Sequence, residues 1–209
     1  MSRSKLNYKV YNGKTLKNFI ENIRIYLISL LFSAGIIIGA ISINNSNQML
    51  DNIKTYIENY MILKAGQGIS DIYLNSLISN LFLMILNVFL SFSLIGYPLI
   101  IWIPFLKGLG IGSVCGDMYP VFKFSGFGYC FLTVFPGAVV STYALICACN
   151  IGCEYSKNAY LKSIVNKGQY ENDETKIFII RQIILIGICA VSSAIDTLFS
   201  YVFLRFFEF

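Results

Sequence analysis

The charge-free stretch IYLNSLISNLFLMILNVFLSFSLIGYPLIIWIPFL, residues 72–106, decides the fold class. It runs for 35 residues without Asp, Glu, Lys or Arg. As one straight helix it would extend roughly 52 Å, whereas the hydrocarbon core of a bilayer is only about 30 Å thick. The stretch therefore predicts two membrane spans. We expect the turn between them at Gly96 and Pro98, where helix-weakening residues cluster.

The whole chain shares this apolar character. Its 209 residues are 56% hydrophobic and 13% charged, whereas about a quarter of the residues in soluble domains are charged. The composition predicts an all-α, polytopic integral membrane helical bundle with about five transmembrane helices. We predict a cytoplasmic amphipathic segment over residues 1–24 and a transmembrane bundle over residues 25–209. The predicted spans are 25–43, 77–95, 97–116, 127–153 and 177–204, with an outer loop at 44–76 and a cytoplasmic loop at 154–176.

The distribution of basic residues predicts the orientation in the membrane. Residues 1–24 hold six cations, and the segment 157–181 holds five. The segments assigned to the outside hold only Lys54, Lys64, Lys123 and Arg205. By the positive-inside rule, the N terminus is cytoplasmic and the C terminus lies outside. The net charge of +5 fits contact with the lipid bilayer, so we expect no nucleic acid partner.

Residue types give little support to catalysis or metal binding. The chain contains no His, which excludes a Ser-His-Asp triad, a His-Glu-x-x-His site and a Cys/His metal site. Asp117 and Asp196 fall in different predicted spans, with Asp117 at the outer boundary, so an aspartyl dyad is not expected. Cys149 and Cys153 lie one helical turn apart, a weak pattern for a metal or a disulfide. We expect free thiols, no cofactor, no metal and no enzymatic activity.

Spaced glycines follow the predicted turn. Gly108, Gly112 and Gly116 recur every four residues, and on a helix they form one groove almost free of side chains. The dinucleotide fingerprint fails because its third glycine would fall on Ser113, and a phosphate loop fails because Lys107 precedes the glycines. Gly35 and Gly39 give the first span the same pattern. These glycines predict a helix-packing face within the bundle or a partner-binding face.

Two charged residues lie deep in predicted spans. An uncompensated cation near the middle of a span, such as Lys107, costs about 2.5 to 3.5 kcal/mol. Asp196, in the last span, is the only acidic residue at comparable depth. We predict that Lys107 and Asp196 pair or share a polar cavity. Two alternatives stay open: Lys107 extends alone toward the interface, or it meets a backbone carbonyl.

The segment IGYPLIIWIPFLKGLGIGSVCG, residues 95–116, resembles the Gly-x-Pro-Leu-Ile and Phe-Leu-Lys-Gly motifs of the stage II sporulation protein M family of endospore-forming bacteria. The first span and the five-span layout are similar too. Two departures are Asp117-Met118, where that family suggests Phe-Leu, and Pro136-Gly137-Ala138, where Pro-Gln-Asn is usual. Kinship with a broader family that includes transporter-associated membrane proteins stays open. The match is carried by Gly96, Pro98, Phe105, Lys107, Gly108, Gly112 and Gly116.

The resemblance implies a non-enzymatic membrane scaffold. It would assemble and localise membrane-anchored peptidoglycan hydrolases, the stage II sporulation proteins D and P, at the sporulation septum for wall remodelling and forespore engulfment. The implied location is the cell membrane, on the mother-cell side of the septum. The alternative is a membrane subunit of a transporter or permease with a polar site around Lys107 and Asp196. The sequence leaves a homo-oligomer open.

Overall fold

The computed structural model describes residues 23–42, 69–93, 96–161 and 172–204. All regular structure in these segments is helical, which confirms the predicted all-α bundle, and five helical segments are long and apolar enough to cross a membrane. The predicted N-terminal segment, apart from its last two residues, lies outside the described residues, as does most of the outer loop. The helices are α1 (Ile23–Ser42), α2 (Ile69–Ser91), α3 (Gly96–Ile100), α4 (Ile103–Thr133), α5 (Phe135–Leu161) and α6 (Asn172–Leu204).

Several helices extend beyond the predicted spans. Helix α2 begins at Ile69, inside the segment predicted as outer loop, and α4 continues to Thr133 instead of ending near Gly116. Apolarity marks where a chain enters lipid, but helical hydrogen bonds continue wherever the backbone allows them. The boundary between α4 and α5 falls at Val134, and Pro136 lies in the first turn of α5. A proline is tolerated there because that amide has no intrahelical acceptor.

The turn between the second and third spans is built on close backbone contacts. The amides of Ser93 and Gly96 donate to the carbonyls of Leu90 (3.0 Å) and Ser93 (3.1 Å). A Cβ on Gly96 would overlap the Leu90 carbonyl, so only glycine fits at this point. The short helix α3, which contains Pro98, follows the turn. A second break at residues 101–102 separates α3 from α4 within the third span.

Helix α5 lies at the centre of the bundle and contacts α2, α3, α4 and α6. Its buried face consists mainly of small residues spaced three or four apart, so neighbouring helices can approach closely. Helix α6 runs antiparallel to α5, since Ser192 lies beside Gly137 and Gln182 beside Ala148. Helix α2 runs parallel to α5, since Ser91 lies against Gly152 and Ser93, further along the chain, accepts a hydrogen bond from Ser156. These directions are the ones that alternating membrane crossings produce.

Large apolar side chains face outward and polar ones are concentrated inside. Phe89 is 74% exposed and Leu30 is 67% exposed, whereas Asn87 and Ser192 are fully buried. This distribution is the reverse of a soluble domain, in which burial of apolar surface away from water drives folding. In lipid, apolar side chains gain little by burial, and close packing with interhelical hydrogen bonds stabilises the bundle. The structure is therefore that of a multi-pass membrane protein.

An aromatic cluster joins α5 and α6 to Phe92, the residue that follows α2, at one end of the bundle. Phe178 stacks on Tyr155 with 4.3 Å between ring centroids, and Phe92 meets both rings edge-on. Phe178 is almost fully buried.

Phe178→Ala is expected to lower the free energy of unfolding by about 2–4 kcal/mol, because it leaves a cavity between three helices. Ile180→Ala, at a lipid-facing position of the same helix, is the matched control and should change it little. Equal thermal stability of the two variants in detergent would contradict this role.

Candidate functional site

Helices α1 and α4 meet through glycines on both sides. A Cβ on Gly35 or on Gly108 would overlap a backbone carbonyl of the other helix, Phe105 or Phe32 respectively. A Cβ on Gly39 would lie 2.6 Å from the carbonyl oxygen of Leu109. All three approaches are closer than real Cβ contacts, so the two backbones touch directly. We call this contact the glycine interface; its glycines are Gly35, Gly39, Gly108, Gly112 and Gly116.

The register of the glycine interface shows how the two helices run. Gly112 lies against Ile36, and Gly116 lies against Ala40, with 2.9 Å from a Cβ at 116 to the Ala40 carbonyl oxygen. Positions on both helices advance together, so α1 and α4 are parallel. The glycine groove of α4 is thus filled by α1 of the same chain. A partner helix that used this groove would first have to displace α1.

Helix α1 has a second attachment near its start. The Arg24 side chain is largely buried, and its Nε donates a 2.6 Å hydrogen bond to Oδ1 of Asn150 on α5. A hydrogen bond from a charged donor is stronger than one between neutral groups, particularly away from water. Arg24 therefore fixes one end of α1 to the centre of the bundle. The glycine interface fixes the rest.

A buried polar cluster lies between α2, α4 and α6. Lys107 Nζ donates a hydrogen bond to Oδ1 of Asn80, and Asn80 Nδ2 donates to Oγ of Ser193 at 3.1 Å. Asn80 and Ser193 are both buried. The lysine that the sequence places deep in a span is therefore held by a side-chain amide of α2. We call this group, with Ser76 and Asp196, the Lys107 cluster.

Asp196 belongs to the same cluster. Its Oδ2 accepts a 2.9 Å hydrogen bond from Oγ of Ser76, one turn before Asn80 on α2. Asp196 also lies within range of electrostatic interaction with Lys107. The structure thus brings the two charged residues into one polar cluster, with Asn80 and Ser76 as the groups beside them. Opposite charges in such a cluster reduce the cost of placing either charge in lipid.

Gly137 provides the space for the Asp196 carboxylate. A Cβ at this position would overlap that carboxylate, and the Gly137 carbonyl accepts a 2.7 Å hydrogen bond from Ser192 Oγ.

Gly137→Ala is expected to displace Asp196 from its hydrogen bond with Ser76 and to lower the free energy of unfolding by about 1–3 kcal/mol. Gly187→Ala, where a Cβ meets open space, is the control. If both variants melt at the wild-type temperature, the absence of a side chain at Gly137 is not what holds Asp196 in place.

The cysteines show no site in the described residues. None of five cysteines forms a disulfide within the described residues: Cys115, Cys147, Cys149, Cys153 and Cys189. Cys153 Sγ donates a weak hydrogen bond to the Tyr97 carbonyl at 3.8 Å. In the part of the chain that the structure describes, no group of three or more metal-ligating side chains occurs.

The partners of Lys107 were not predicted from the sequence. Ser76, Asn80, Asn87 and Ser91 lie on one face of α2, spaced by four, seven and four residues. That spacing is a helical signal inside an otherwise apolar span, and it was available from the sequence. The small-residue face of α5 could also be recognised from the spacing of its residues in the sequence. Which of these faces meet depends on helix contacts that spacing alone does not determine.

The family comparison fits this architecture. The model of the family described as Stage II sporulation protein M matches residues 28–201, which is most of the chain and includes all five spans in whole or in large part. The chain belongs to the stage II sporulation protein M family. No curated protein and no solved structure matches it.

Membership in the stage II sporulation protein M family makes this chain a sporulation-related membrane protein. The family is not a known enzyme family. The matched region contains the whole glycine interface and the whole Lys107 cluster. Both features are thus part of the region that defines the family relationship.

Proposed function

We propose that this protein is a non-enzymatic scaffold that assembles and localises membrane-anchored peptidoglycan hydrolases at the sporulation septum. The hydrolases are the stage II sporulation proteins D and P, as the resemblance implies. Their activity would remodel septal wall so that the mother-cell membrane can engulf the forespore. In this proposal the N terminus is cytoplasmic, the C terminus lies outside, and the protein is on the mother-cell side.

The observation that carries this proposal is the family match together with the outward-facing apolar surface of the bundle. Single-span anchors of other proteins can pack on such a surface without any chemistry by the scaffold. Leu30, Phe89 and Leu198 are among the large side chains that this surface exposes. The internal contacts fix the helices that present it. The fold therefore suits a rigid membrane platform.

Co-purification from sporulating cells tests the scaffold. The tagged full-length chain is expressed at native level in an endospore-forming bacterium that lacks its own copy, and membranes are solubilised at the time of engulfment. We expect both hydrolases to be recovered with the tagged protein, as measured by quantitative mass spectrometry. Septal localisation of a fluorescently labelled hydrolase should be lost when the scaffold is absent.

Matched variants sharpen this test. Gly110→Leu adds bulk at an exposed position of α4 where a Cβ meets open space, whereas Gly112→Leu adds the same bulk inside the glycine interface. Gly110→Leu should retain the hydrolases and complete engulfment, and Gly112→Leu should lose both. Failure of the folded wild-type protein to recover either hydrolase would overturn the proposal.

A second candidate function is favoured by the Lys107 cluster. A transporter or permease subunit would need polar groups at the middle of the membrane, and Lys107, Asn80 and Asp196 supply them. The interruption of the third span between α3 and α4 also resembles the broken helices that line transport sites. Substrate-dependent flux into vesicles containing the purified chain, abolished by Asp196→Asn, would favour this function. Absence of flux with co-purifying hydrolases would favour the scaffold.

A further inference from the structure

The interior holds a second polar region, separate from the Lys107 cluster. Asn87 on α2 is fully buried, and neither its Nδ2 nor its Oδ1 has a hydrogen-bond partner among the residues that the structure describes. Gln182 on α6 is also buried, and its Oε1 has no hydrogen-bond partner within the described segments. A buried polar atom left without a hydrogen bond costs about 1–3 kcal/mol, so three such atoms in one bundle require an explanation.

The two amides lie beside the same turn of α5. Asn87 Oδ1 would be 3.0 Å from a Cβ on Gly152, so its side chain rests on that glycine. Gln182 Nε2 donates a 3.2 Å hydrogen bond to the Ala148 carbonyl. In an α-helix the carbonyl of residue 148 points toward the amide of residue 152. The Gln182 side chain therefore contacts the same turn of α5, residues 148–152, that Asn87 contacts at Gly152.

The chemistry of the unpartnered atoms selects the ligand. Asn87 Nδ2 is a donor, whereas Asn87 Oδ1 and Gln182 Oε1 are acceptors. A cation would satisfy the acceptors alone, and an anion would satisfy the donor alone. A water molecule both donates and accepts, and buried water in proteins makes about three hydrogen bonds to otherwise unsatisfied groups.

We propose that ordered water is bound inside the bundle, between α2, α5 and α6, at Asn87 and Gln182. Asn87 is the main ligand because both ends of its amide are available, and Gln182 supplies a further acceptor. Gly152 makes room for the Asn87 amide at this position. The site is independent of the scaffold function and of the Lys107 cluster.

Radiolytic footprinting of the full-length protein in lipid nanodiscs tests this site, with water itself as the probe. The nanodiscs are equilibrated in water enriched in oxygen-18 and exposed to a short X-ray pulse. Hydroxyl radicals formed from bound water oxidise the nearest reactive side chains. Met84, one turn before Asn87, and Cys149, one turn before Gly152, are fully buried sulfur-containing reporters. Both are expected to acquire oxygen-18 in the wild-type protein, although neither is reached from the surface.

Asn87→Leu removes the donor and the acceptor while keeping a similar volume. It should reduce labelling of Met84 and Cys149 at least fivefold and leave labelling of Cys189, near the Lys107 cluster, unchanged. Gln182→Leu is the second variant and should reduce labelling as well, so the test does not depend on Asn87→Leu folding. Unlabelled Met84 and Cys149 in the wild-type protein would overturn the proposal. So would labelling that neither variant changes, because the water would then not be held by these amides.

Discussion

Replacing Gly112 by leucine is expected to separate helix α1 from the bundle. A Cβ at Gly112 would overlap the Ile36 carbonyl oxygen and lie 2.9 Å from the Ile36 carbonyl carbon. Backbone atoms cannot turn aside as a flexible side chain can, so the helices must move apart. Overpacking of this kind costs typically 1–3 kcal/mol and sometimes more, and we expect about 3 kcal/mol here because the contact is backbone to backbone. Thermal unfolding in detergent measures the loss.

The control for Gly112→Leu is Gly110→Leu on the same helix. Gly110 is exposed, and a Cβ there meets open space. Both variants add the same apolar volume and the same hydropathy, so membrane insertion should be unaffected in either. Gly110→Leu should unfold within about 0.5 kcal/mol of the wild type. A Gly112→Leu protein as stable as Gly110→Leu would show that α1 does not pack on α4 through its glycines.

Removing one charge of the Lys107 cluster should destabilise the protein by a similar amount. Lys107→Met leaves Asp196 as a negative charge inside the bundle, and Asp196→Asn leaves Lys107 as a positive one. Loss of one partner from a buried pair costs about 3–5 kcal/mol, because the remaining charge is then uncompensated. We expect each single variant to lose about 3 kcal/mol of stability. The double variant should lose less than the sum of the two, since neither charge remains.

Lys176→Met is the control for these variants. Lys176 is an exposed cation on α6 that lies 3.9 Å from Asp173, and exposed ion pairs contribute little. Its replacement should change the free energy of unfolding by less than about 1 kcal/mol. If the Lys107 and Asp196 losses are strictly additive in the double variant, the two residues do not interact. If neither single variant differs from the wild type, the cluster has no stabilising role.

The sequence predicted the class of fold because composition and the charge-free run at 72–106 admit no soluble alternative. The spacing of Gly108, Gly112 and Gly116 also indicated a groove for close helix contact. The helix that fills this groove was not readable from spacing, although Gly35 and Gly39 gave the first span the same pattern. A repeated glycine shows that a face is bare, and it does not show which neighbour lies on it.

Depth along the span was a useful guide for Lys107 and Asp196, but it did not reveal Asn80. The expected surroundings of Lys107 were a counter-charge, a backbone carbonyl or the interface alone, whereas its ammonium donates a hydrogen bond to a neutral amide on a third helix. The long α4 was also missed, because helical hydrogen bonding continues past the point where apolarity ends. Both misses have one cause: tertiary contacts and backbone continuity are not recorded in hydropathy.

Cysteine cross-linking within native membranes tests the central structural claim, that the glycine faces of α1 and α4 meet inside one chain. Ala40→Cys and Ser113→Cys flank the contact between Gly39 and Gly112, and all native cysteines are replaced. The lipid-facing pair Ile38→Cys and Val114→Cys is the control. We predict rapid disulfide formation within single chains for the first pair only. Absence of that cross-link, or its formation only between differently tagged copies, would contradict the account.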